Sequence, residues 1–129
     1  MNIIENKKGQ ISYTLANHFT RVFITVQGGH LSASFRCGNQ WIDPFFYAPW
    51  SKGGRKEDSD WILHVLRGDP FCLPFGSGKD LYQGKQYPHH GKTANGLWQY
   101  QSWDSDQQRK TLRLSQSLDY DEGEVEKNI

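Results

Sequence analysis

Apolar and polar residues alternate with a period of two along much of this chain. Ile11, Tyr13 and Leu15 alternate with Ser12 and Thr14. Val22, Ile24 and Val26 alternate with Phe23 and Thr25, and Leu31, Ala33 and Phe35 alternate with Ser32, Ser34 and Arg36. Such alternation is the mark of strands whose two faces differ. Gly28 and Gly29 lie between the second and third runs, where glycine supplies the positive φ of a tight hairpin. Trp61 to Leu66 reads as a further strand, apolar on both faces except at His64. Trp98 to Trp103, Thr111 to Leu118 and Glu124 to Ile129 complete the strands. No window of about 12 residues keeps a helical period, so the expected fold is all-β, a mostly antiparallel β-sandwich.

The 129 residues suit one domain spanning positions 1–129. Trp, Tyr and Phe make up 14% of the chain and 13 residues are glycine, which adds to the β expectation. A net charge of +1 argues against nucleic acid as a partner. The charge is uneven. Asp119, Asp121, Glu122, Glu124 and Glu126 crowd the last eleven residues, where they read as a solvated strand and turn. No apolar run is long enough for a membrane span, and the first residues hold no apolar signal core, so a cytoplasmic protein without membrane partners is expected. Cys37 and Cys72 form no zinc spacing and read as buried free thiols, with a disulfide as the alternative. A last strand at Glu124 leaves an open sheet edge, through which a homodimer would form.

Chemistry concentrates between Asp69 and Gly96, a stretch too long for an idle loop. His89 and His90 would point to opposite faces of a strand, and share a site only if the backbone turns at Pro88 and Gly91. Either ring can exchange a proton near neutral pH. Arg67 ends an apolar run before Gly68, a position from which a guanidinium can bind hydroxyls or an anion, or pair with Asp69 in a turn. His64, His89, His90 and Asp69 are the residues from which a metal site would be drawn, but no His-x-His or His-x-x-x-His spacing occurs. Gly76-Ser77-Gly78-Lys79-Asp80 lacks the spacing of a phosphate loop, so no cofactor is expected. Trp41, Phe45, Phe46, Tyr47 and Trp50 cluster in ten residues, as core packing with one or two rings available to a sugar's C–H face.

Val65-Leu66-Arg67-Gly68-Asp69-Pro70-Phe71-Cys72-Leu73-Pro74-Phe75-Gly76 resembles the segment before the histidine motif of galactose mutarotase-like (aldose 1-epimerase) proteins. Pro88 to Trp98 resembles that family's His-Gly motif, Phe23 to Trp50 its opening strands, and Thr111 to Ile129 the strands that follow. The resemblance implies the first part of a large twisted β-sandwich that binds a free aldose and acts at its anomeric centre. It implies that Arg67 and His90 touch sugar hydroxyls or the ring oxygen; the site expected around them has His90 as the catalytic residue and Arg67, His89, Asp69, Asn95 and Trp98 binding the sugar. Thr93-Ala94-Asn95 stands where the sugar-phosphate branch carries an arginine, which disfavours a phosphorylated substrate. The family's late glutamate base, its second histidine and its sugar-binding aspartate have no counterpart in this chain. Weak or absent activity of the chain alone is therefore expected. The alternatives are a non-catalytic carbohydrate-binding sandwich, a cupin-like metal-binding barrel and a protein–protein module using the open edge.

Overall fold

The computed structural model describes residues 4–51, 61–74, 79–106, 109–118 and 123–129. The polar stretch 52–60, most of the Gly-Ser-Gly stretch (75–78) and the acidic stretch 119–122 lie outside the described residues.

Five strands form an antiparallel meander in sequence order: β1 (Ile4–Lys7), β2 (Gln10–Ala16), β3 (Thr20–Thr25), β4 (Leu31–Cys37) and β5 (Gln40–Ile42). After a short helix, α1 (Trp61–His64), comes a two-stranded ribbon, β6 (Leu81–Tyr82) and β7 (Lys85–Gln86). The second main sheet is also antiparallel: β8 (Gln99–Ser105), β9 (Lys110–Ser117) and β10 (Glu124–Asn128), in the order β10-β9-β8. Neither sheet closes on itself, so the fold is an all-β, sandwich-like one and not the barrel of the cupin alternative.

The alternation sets the core. Tyr13 pairs with Ile24 and Leu15 with Val22 across β2 and β3, so all four point to one face. There Tyr13, Leu15 and Ile24 meet Leu112 and Leu114 of β9 and Trp98, just before β8. The opposite face of the meander is buried as well. Ser12, Phe23, Thr25, Ser32 and Ser34 lie inside, against the chain that follows β5. Tyr47 Oη donates to Ser32 Oγ at 2.8 Å, and Asp43 accepts from Ser34 Oγ while pairing with Lys7 at 3.2 Å. Ser32 and Ser34 are satisfied by this covering layer and Ser12 by Gln10 O of its own strand, which is what allows their burial.

Two sequence expectations change. Trp61 to Leu66 is not a strand: Trp61–His64 forms one helical turn. Ile62 within the turn and Val65 just after it are buried, and the Ile62 amide donates to Asn95 Oδ1 at 3.0 Å. A distant side chain thus supplies the acceptor that a sheet neighbour would have offered. Cys37 is exposed at the end of β4, whereas Cys72 is half-buried; both are free thiols. β10 forms the outer edge of its sheet, with β9 as its neighbour among the described residues. No described helix is long and apolar enough to cross a membrane.

The two layers join at the β3–β4 turn. Gly28 N donates to Gly96 O at 2.7 Å and Trp98 N to Val26 O at 2.8 Å, so the turn holds the entry to β8. Gly29 has φ +57°, and a Cβ there would sit 2.4 Å from Trp98 Nε1. Only a residue without a side chain lets the indole lie on the turn.

Candidate functional site

The histidine loop is clamped from several sides. Asn95 Nδ2 donates to His89 O and to Gly91 O, both at 2.7 Å. Thr93 Oγ1 donates to Phe71 O at 2.6 Å and accepts from Leu73 N at 2.9 Å. Trp98 Nε1 donates to Thr93 O at 2.9 Å. Gly91, at φ +74°, passes so close to Leu73 that a Cβ would meet its carbonyl oxygen at 2.2 Å. His90 itself has φ +62°, rare for a residue with a side chain. The backbone therefore turns between the two histidines, as their sharing of one site requires, and their rings meet edge to face with centroids 5.0 Å apart. His90 Nδ1 lies 3.3 Å from Cys72 Sγ.

Arg67 is placed differently from its expected role. It is 2% exposed, and four of its five N–H groups go to main-chain carbonyls. Nε donates to Val65 O at 3.1 Å and Nη1 to Lys7 O at 2.7 Å. Nη2 donates to Lys8 O at 3.0 Å and Ser51 O at 3.1 Å. Two cations lie near the Tyr47 ring, Lys8 Nζ at 3.7 Å and the Arg67 guanidinium at 5.5 Å from its centroid. The guanidinium thus ties the β1–β2 turn to the covering layer. Asn95 and Trp98 are likewise spent on the fold: the Asn95 amide holds the loop, and Trp98 is 1% exposed with Lys127 Nζ 4.5 Å over its ring. These three expected sugar contacts serve the fold, since nearly all of their donors are already used within the protein.

Two residues not expected from the sequence complete the cluster. His30 is fully buried, with Nε2 3.1 Å from Ala94 O and Nδ1 without a partner among the described residues. Burial is the main reason its pKa falls to about 4; the Ala94 carbonyl opposes this, and the charges of Arg67, Lys127 and His90 add to it. The charges of Arg67, His90 and Lys127 are all felt at this one imidazole. Lys127, from β10, donates to Gly29 O at 2.7 Å. Burial lowers its pKa to about 8, against the pull of Asp69. Burial, and then the charge of Asp69, pushes the Cys72 thiol up, so it stays protonated at neutral pH. Neither His30 nor Lys127 announces itself in the sequence. Each sits at a parity or spacing that strand alternation alone would not mark.

Cys72, His89 and His90 meet directly, and Asp69 acts through its charge on Cys72 and Lys127, so five residues from three chain segments form a loosely connected cluster. It offers a carboxylate, an amine, two imidazoles and a thiol in an uneven, partly screened setting, which is equipment for binding hydroxyls and moving protons. It does not gather three or more potential metal ligands at one point among the described residues. A shallow hollow of about 330 Å³ flanks the same loop, lined in part by Pro88, Lys92, Asn95 and Gln116. The class defined by fold and site is an antiparallel β-sandwich with a polar cluster on the connections between its layers. Comparison with family models, with curated proteins and with solved structures finds no match to this chain.

Proposed function

We propose that this chain is the saccharide-binding portion of an aldose 1-epimerase-like β-sandwich, taking a free aldose at the Asp69–Cys72–His89–His90–Lys127 cluster. The observation that carries this reading is the turn at His90, which brings both imidazoles together beside Cys72. Mutarotation requires a base at the anomeric hydroxyl and an acid at the ring oxygen. The ring opens, the C1–C2 bond rotates, and closure gives the other anomer. His90 hydrogen-bonds the ring oxygen in this reading and favours its protonation, with His89 and Asp69 on neighbouring hydroxyls. A missing opposing base forfeits about 10²–10⁴ in rate, roughly 3–5 kcal/mol, so activity of the chain alone is weak. An exposed free thiol, Cys37, suits the cytoplasm as its compartment.

Polarimetry on freshly dissolved α-glucose and α-galactose, with NMR titration at millimolar sugar, tests the proposal. Binding with a slow rise in mutarotation, lost in His90→Ala, is expected; no binding of either sugar removes the reading. The engagement of Arg67 by main-chain carbonyls favours a second reading, a non-catalytic sugar-binding sandwich. Equal affinity in wild type and His90→Ala with no rate change in either selects it. Pairing of two copies along the β10 edge belongs to the same proposal, and a monomer at every concentration in sizing chromatography excludes it.

A further inference from the structure

We propose that Cys72 is a positioning residue for His90: its thiol hydrogen bonds to Nδ1 and leaves Nε2–H as the ring's one donor. The inference deepens the proposed function, since it states in which form His90 meets a saccharide oxygen. The carrying observation is the 3.3 Å approach of Cys72 Sγ to His90 Nδ1, within hydrogen-bonding range for sulfur. It is made at a residue held at φ +62°, in a loop pinned by Asn95, so the backbone that carries the ring is fixed beside Cys72. Nε2 has no hydrogen-bond partner among the described residues, and the Nδ1 contact therefore decides the tautomer.

The direction of the bond follows from the two partners. A thiol sulfur is a poor acceptor, while a bare imidazole nitrogen is a good one. Burial and the Asp69 charge both resist loss of the thiol proton, which disfavours a thiolate–imidazolium pair. The neutral arrangement S–H···Nδ1 remains. In that form His90 donates through Nε2 to a hydroxyl or ring oxygen and offers no lone pair there. A hydroxyl proton must then be accepted by a group other than His90, in keeping with the missing opposing base.

The test is the tautomer of His90, read from nitrogen-15 shifts in the sugar-free protein at pH 7.5. The wild type is expected to show Nε2 protonated and Nδ1 bare. In Cys72→Ala the Nδ1–H form rises about fivefold, the factor set by about 1 kcal/mol of hydrogen bond. Cys72→Ser, which keeps an O–H donor, restores the wild-type ratio and guards against a variant that merely loosens the loop. Protonation of Nδ1 in the wild type, or one ratio in all three proteins, overturns the assignment. Because no sugar is present, a failure to bind aldoses would remove the functional reading while leaving this outcome to stand or fall by itself.

Discussion

Replacing Arg67 by lysine separates a fold-building guanidinium from a ligand-facing one. The charge is kept, and the length nearly so, but the fork of donors is lost. Arg67 serves four carbonyls; those of Val65 and Ser51 are met in buried surroundings, those of Lys7 and Lys8 in partly buried ones. A single ammonium reaches one or two of these, and the partly buried pair at the β1–β2 turn is the natural choice. Two buried carbonyls then lose their donor, at about 1–2 kcal/mol each. The stacking of the guanidinium near Tyr47 adds a fraction more. Arg67→Lys should thus lose about 2–4 kcal/mol, a large share of the stability of a domain this size. That corresponds to a fall of about 10 °C in melting temperature, followed by tryptophan fluorescence or calorimetry. If the variant melts within about 2 °C of wild type while sugar affinity drops, the guanidinium faces a ligand and its fold-building role is refuted.

Further outcomes follow from the same contacts. Gly29→Ala places a Cβ against the buried Trp98 indole at a positive φ, so a loss of about 2–5 kcal/mol is expected in denaturant unfolding; wild-type stability would mean that the turn has room to move. His30 has a folded pKa of about 4, below its ordinary 6.5, so the unfolded chain takes the proton first. The stability it contributes is complete above pH 6.5 and is lost as pH falls from there towards 4, about 2 kcal/mol of it by pH 5. His30→Gln should flatten the difference between pH 7 and pH 5 by that order; an unchanged slope would place the proton elsewhere. Asn95→Ala removes the clamp on His89 and Gly91 and the acceptor for Ile62 N, so amide exchange should quicken together at 61–64 and 89–95. Faster exchange in the histidine loop alone would show that the helix does not depend on Asn95.

What the sequence determined by itself was the layer architecture. Tyr13, Leu15, Val22 and Ile24 declare their common face through simple alternation, and Gly28-Gly29 declares the turn between β3 and β4, because both depend on local geometry that every strand and hairpin obeys. Pro88 and Gly91 permitted a bend at His89-His90 without requiring it, and the structure takes it. The roles of Arg67, Asn95 and Trp98 were not legible, since a polar side chain declares its donors but not who accepts them. Only the tertiary structure brings the carbonyls of Lys7, Lys8 and Ser51 around one guanidinium, turns Trp61–His64 into a helix on a distant asparagine, and carries Lys127 from the last strand to the β3–β4 turn. Burial of a charge or an amide is decided by which partners converge on it from far along the chain, and pairwise periodicity holds no information about that convergence.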